Sequence, residues 1–181
     1  YEIFLLQLGV LRQKYEWSKQ IGKPYVVEDQ WLLERLKHLD FSLTHAQMRV
    51  LADLRKDLAS GHPMNRLIQG DVGSGKTVVA ALAISVVTKH GAQGAFMAPT
   101  SILAEQHYAS LRQLLANPDD EGTVLQEDQI RLLIGDTSAK EREEILAGLA
   151  DGRIKLVIGT HALIEDPVIF DNLQIVIVDE Q

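Results

Sequence analysis

From Phe41 to the end of the chain, short apolar runs alternate with segments of helical period, which predicts an α/β domain: a parallel sheet flanked by helices. Two further observations support this. Most of the short runs are almost continuously apolar, the pattern of strands buried on both faces rather than of a half-exposed sheet. The stretch RLIQGDVGSGKTVVAALA from Arg66 also places a strand-like run, a glycine-punctuated loop and an apolar helix pattern in immediate succession.

In chain order, Phe4, Leu8, Leu11 and Tyr15 fall at helical spacing and predict an amphipathic first helix. GKPYVV, Gly22–Val27, interrupts it, and Trp31, Leu32, Leu36 and Leu39 begin a second helical pattern. Residues 1–40 therefore read as an N-terminal helical appendage that packs on the main domain or joins it to another. Residues 41–181 read as the main domain. A helix over about Thr44–Leu58 opens with Thr44 and Gln47 at capping-box spacing, and Ser60–Pro63 (SGHP) stops it. Strands are expected at Asn65–Gln69, Ala92–Ala98, Gln129–Ile134, Ile154–Ile158 and Leu173–Val178. Helices are expected at Thr77–Lys89, Ile102–Leu115 and Lys140–Leu149, and NPDDEG at Asn117–Gly122 as an exposed, solvated loop.

The chain has no cysteine, which excludes a disulfide framework, a thiolate zinc site and a cysteine nucleophile. Its apolar runs are far shorter than a bilayer span, and no small-residue cleavage site follows the first helix, so a soluble, cytoplasmic protein is expected. The remaining histidines, among them His38, His62 and His90, show no metal-ligand spacing. A net charge of -7 argues against a broad basic footprint, though not against a local groove for nucleic acid. The chain opens at Tyr1 without methionine and stops at Gln181 directly after a strand-like run, which suggests part of a larger protein.

GDVGSGKT, Gly70–Thr77, has glycine, four residues, glycine, lysine and threonine in the spacing of a phosphate-binding loop. A loop that wraps a phosphate turns its backbone N–H groups inward, and side chains at Gly70, Gly73 and Gly75 would obstruct it. Asp71, Val72 and Ser74 complete the cradle, Lys76 reaches the β- and γ-phosphates, and the Thr77 hydroxyl is placed to ligate Mg²⁺. The competing reading is a glycine-rich turn beside a surface lysine. At the other end of the chain, LQIVIVDEQ delivers Asp179 and Glu180 to the carboxyl edge of the sheet, where open α/β sheets bind ligands. An aspartate there can hold the Mg²⁺ shell and a glutamate can activate water. Taken alone, an acidic pair after a strand marks only a solvated strand end.

GDVGSGKT, APTSILAEQH (Ala98–His107), GTHALI (Gly159–Ile164) and DEQ (Asp179–Gln181) together resemble the first motor lobe of RecG-type ATP-dependent DNA helicases, in helicase superfamily 2. The resemblance covers about residues 41–181. It implies a P-loop NTPase (RecA-like) fold, ATP with Mg²⁺, and remodelling of branched or forked DNA. Lys76, Asp179, Glu180 and Gln181 would be catalytic, with Thr77 and Asp179 on the metal. FSLTHAQ resembles the family's adenine-recognition motif, so Gln47 would read the base and Phe41 pack near it, alongside the capping role of Thr44 and Gln47. The loops carrying Pro99, Thr100, Gly135, Gly159, Thr160 and His161 would contact DNA. For Thr100 the plain alternative is a helix cap, for His161 a buried structural histidine, and for Ser138 and Glu141 a capping box is preferred.

The family's fourth box residue lies beyond Gln181, and the second lobe with its arginine finger and the branch-gripping wedge domain lie outside this chain. Arginine fingers contribute on the order of a thousandfold to turnover, so this chain, expected to be monomeric, should bind nucleotide and hydrolyse it weakly. Transcription-repair coupling factors resemble it next; DEQ rather than DEE, and SGKT rather than YGKT, favour the RecG type. A non-motor P-loop module is the alternative from another class.

Overall fold

The computed structural model describes residues 2–71, 73–116, 123–165 and 167–179. The expected loop at Asn117–Gly122, and the site candidates Val72, Glu180 and Gln181, lie outside these residues.

Six α-helices and four strands are described: α1 (Glu2–Ser18), α2 (Asp29–Lys37), α3 (His45–Ala59), α4 (Lys76–Lys89), β1 (Gln93–Met97), α5 (Ser101–Leu115), β2 (Ile130–Leu133), α6 (Ala139–Ala150), β3 (Leu156–Gly159) and β4 (Leu173–Val178). The strands form one parallel sheet in the order β2-β3-β1-β4. Side chains alternate across it, as the two-residue strand period requires. Phe96, Leu156, Ile158 and Ile175 join the core beneath α3, α4 and α5, while Ala95, Leu133 and Val157 join a second core with Ile145 and Leu149 of α6. The central strands are thus buried on both faces, which explains why they read as unbroken apolar runs.

Gln93 is a polar exception at the start of β1. It is fully buried, donates to the carbonyls of Leu149 and Ile154 at 2.9 and 2.7 Å, and accepts from Asn172 N–H at 2.8 Å. Its amide is thereby fully paired inside the core and ties together backbone groups of three different segments.

Two expectations are corrected. Asn65–Gln69 is not a strand and does not enter the sheet. Side chains hold it elsewhere: Arg66 bonds Asp57 on α3 at 2.6 Å, and Met64 and Ile68 pack on the core, while Leu67 is 77% exposed. Nor is β4 buried on both faces, because Val176 remains 58% exposed. A continuous apolar run signals capacity for burial, and burial needs a neighbour on each side.

The first 40 residues divide in two. Tyr25, Val27 and Leu32 enter the main core; Tyr25 N–H bonds Leu58 carbonyl at 2.8 Å, and Arg55 bridges Val27 carbonyl and Asp29 at 2.9 and 2.8 Å. In contrast, Ile3, Phe4, Leu5 and Leu6 of α1 are all exposed. The helix forms as its periodicity predicts, but its apolar side chains there meet no core.

Candidate nucleotide site and carboxyl edge

The phosphate loop owes its shape to glycine at two positions. Gly73 and Gly75 take φ of 78° and 77°, in the left-handed region where a Cβ would crowd the following carbonyl. At Gly70 the constraint is space instead: a Cβ there would lie 2.6 Å from Ser74 Oγ, so that hydroxyl would have to rotate away. Helix α4 starts at Lys76 directly from Gly75, so its free N-terminal N–H groups open onto the loop. Lys76 Nζ donates to the carbonyls of Gly70 and Asp71 at 2.8 and 3.0 Å, which folds the ammonium over the cradle. This is an anion site in form and in charge, and the residues present fit a polyphosphate.

Gln47 reaches this loop from the start of α3. Its side-chain oxygen accepts from Thr44 N–H at 2.8 Å, Thr44 Oγ1 accepts from Gln47 N–H at 3.2 Å, and Gln47 Nε2 donates to Ser74 carbonyl at 2.8 Å. The capping box therefore forms, and it also fixes an amide against the loop. A Cβ on Gly75 would collide with Gln47 Nε2. Phe41 lies apart from these bonds, in a cleft of about 320 Å³ shared with Arg35, Gly75 and Thr77.

Asp179 follows β4 and keeps the sheet pairing, with its N–H bonded to Met97 carbonyl at 2.9 Å. Its side chain lines one cavity of about 490 Å³ with Gly73, Gly75, Lys76 and Thr77, although more than a hundred residues separate it from the loop in sequence. Within that cavity His107 Nε2 lies 2.7 Å from Asp179 Oδ2. A Mg²⁺ ion of phosphate sites commonly uses one or two carboxylates plus phosphate oxygens and water, and Thr77 with Asp179 matches that donor set. No role for His107 followed from the sequence, although APTSILAEQH contains it; the available signal was a lone imidazole in the apolar stripe of a helix.

The other candidates lie along the same carboxyl edge, because all four strands run parallel. Passing from β2 to β4, the edge carries Gly135, then Thr160 and His161, then Pro99 and Thr100, then Asp179. Gly135, Pro99, Thr100 and His161 are exposed, and Thr160 is half-buried. Thr100 caps α5 by accepting from Leu103 N–H at 3.3 Å, and Ser138 caps α6 by accepting from Glu141 N–H at 3.3 Å. Gly159 is different. It is buried in β3, where a Cβ would run into Leu133 carbonyl oxygen, so it serves close strand packing and offers no surface to a ligand.

The DEAD/DEAH box helicase family matches residues 44–181. The chain is 47% identical over 180 residues to ATP-dependent DNA helicase RecG of Thermotoga maritima, spanning 99% of this chain and 22% of that protein. It is 45% identical over 179 residues to the Bacillus subtilis RecG, spanning 99% and 25%. Among solved structures, RecG bound to a three-way DNA junction matches with a TM-score of 0.86 at 47% identity, over 99% of this chain and 24% of that one. The UvsW helicase of bacteriophage T4 shares the fold alone, at 12% identity and a TM-score of 0.52 over 79% of this chain and 46% of that one. The chain thus spans about a quarter of the length of the RecG proteins it matches. The phosphate loop, the acidic strand end and these likenesses agree: the chain belongs to the DEAD/DEAH box helicase family, in its RecG branch.

Proposed function

We propose that this chain is the ATP-binding half of a DNA helicase or translocase that couples ATP hydrolysis to remodelling of branched DNA at replication forks and recombination junctions. The observation that carries the reading is the shared cavity that Asp179 lines together with Lys76 and Thr77. Family membership implies ATP as the nucleotide, and the relative solved on a three-way junction supports branched DNA as the partner.

In this reading residues 41–181 are the first RecA-like motor lobe and residues 1–40 the helical linker into it. Gly70–Thr77 cradle the triphosphate, Lys76 holds its β- and γ-oxygens, and Gln47 and Phe41 receive the adenine. Thr77 and Asp179 hold Mg²⁺, which when bound neutralises phosphate charge and orients the terminal phosphoryl group. Glu180 orients the attacking water, and Gln181 completes the acidic box. Thr100, Thr160 and His161 take DNA phosphates along the carboxyl edge; hydroxyls and helix N-termini are suited to this task. Hydrolysis at a useful rate requires a second lobe closing over the nucleotide. The protein acts as a cytoplasmic monomer; among the described residues no helix is long and apolar enough to cross a membrane.

The test is calorimetric titration of a Mg·ATP analogue into the protein, with and without a forked duplex. Tighter nucleotide binding in the presence of DNA is expected. Binding that ignores DNA would instead indicate a P-loop switch module, and no binding would remove the nucleotide reading altogether.

A further inference from the structure

Helix α5 buries one face, and the residues on that face follow helical spacing: Ala104, Leu111 and Leu115 are each at most 3% exposed. His107 falls on the same stripe, where periodicity calls for an apolar side chain. An imidazole placed there loses water, so the position is costly unless its nitrogens find partners. One partner is Asp179, with Nε2 to Oδ2 at 2.7 Å and side-chain exposures of only 14% and 21%. A carboxylate can only accept, so Nε2 carries the proton and donates it to the bond. The ring is also held by packing: it lies 4.6 Å from the ring of Phe96, itself 2% exposed on the central strand β1. The His107 ring thus has little freedom, and its N–H fixes one oxygen of Asp179, a residue that lines the same cavity as Lys76 and Thr77.

We infer that His107 is a positioning residue: its Nε2–H holds the Asp179 carboxylate in the orientation that receives Mg²⁺ beside the phosphate loop. This rests on the reading of Asp179 as a metal ligand given above. Hydrogen-bond partners that orient a metal-ligating carboxylate act on metal affinity more than on fold, typically by ten- to a hundredfold. The same arrangement ties α5, whose N-cap is Thr100, to the metal end of the site.

Two variants of the full-length protein separate this role from packing. His107→Phe keeps a ring against Phe96 and removes the donor; His107→Gln places an amide N–H where Nε2 was. The quantity to measure is the ratio of ATP-analogue Kd in EDTA to Kd in Mg²⁺, by calorimetry, with the thermal midpoint as a fold control. In His107→Phe the ratio should fall by about tenfold or more while the EDTA affinity stays unchanged, and His107→Gln should recover most of the loss. An unchanged ratio in His107→Phe overturns the inference. So does an equal loss of affinity with and without Mg²⁺ accompanied by a lower midpoint, which would make His107 merely structural. If wild-type protein binds the analogue without any Mg²⁺ dependence, the metal reading of Asp179 fails first and takes the inference with it.

Discussion

The two ends of the proposed nucleotide site are built by different means. The phosphate loop is eight consecutive residues, Gly70–Thr77, and its shape follows from local backbone chemistry at Gly73 and Gly75. The acidic end is assembled from distant parts: β4 delivers Asp179, β1 anchors its backbone through Met97, and α5 brings His107 from 72 residues away. A local device is damaged by changing its own residues. An assembled one is also damaged by anything that shifts the elements behind it.

The sharpest break of the local half is Lys76→Ala. Removing the ammonium should lower nucleotide affinity about 10- to 100-fold, as expected for losing hydrogen bonds to a charged group worth about 1.5–3 kcal/mol, with the thermal midpoint unchanged. Calorimetry decides it, and undiminished affinity would remove the phosphate-loop assignment. The assembled side is broken most directly at Gly159→Ala, where the new methyl meets Leu133 carbonyl at the carboxyl end of β3, between two neighbouring strands. We expect a loss of about 1–3 kcal/mol in chemical denaturation, as for other overpacked cores. A denaturation midpoint equal to wild type would mean the strands do not approach this closely.

The contact of Gln47 with Ser74 tests whether the local half is wholly local. Thr44→Ala should cost about 1 kcal/mol of stability, as lost N-caps do, with preference for ATP over GTP intact. Gln47→Ala should erode that preference. If both variants lose stability alone, Gln47 is a cap and does not read the base. The smallest effect is expected at Thr100→Ala, which should weaken DNA binding by about 0.5–1.5 kcal/mol, equally for all sequences, as a phosphate contact should. A loss that depends on DNA sequence, measured by fluorescence anisotropy, would contradict that role.

Particular elements show how much could be read in advance. The caps at Thr44, Thr100 and Ser138 formed where side-chain spacing placed them, since a cap involves residues only three apart, although of the box expected at Ser138 and Glu141 only the Ser138 half is made. Strand β3 was evident because Leu156, Val157 and Ile158 fill cores on both sides, and no half-exposed pattern competes with that reading. Asn65–Gln69 looked equally strand-like and is not one, because Arg66 is drawn to Asp57 and the segment never pairs with β4. Helix α1 formed as predicted, but nothing in its periodicity told that Ile3 and Phe4 would stay exposed while Tyr25 and Leu32, a few residues on, became core. In α5, the histidine on the buried stripe was visible, but its partner was not.

The sequence by itself determined the phosphate loop, the helix caps and, apart from Asn65–Gln69, the division into strand and helix, since each depends on backbone preferences and side-chain spacing within a few residues. Only the tertiary structure decided the strand order, the burial of Gly159, the bare surface of α1 and the pairing of His107 with Asp179. Those depend on which distant surfaces come into contact, and such contacts are selected by packing of the whole core rather than by any pattern along the chain.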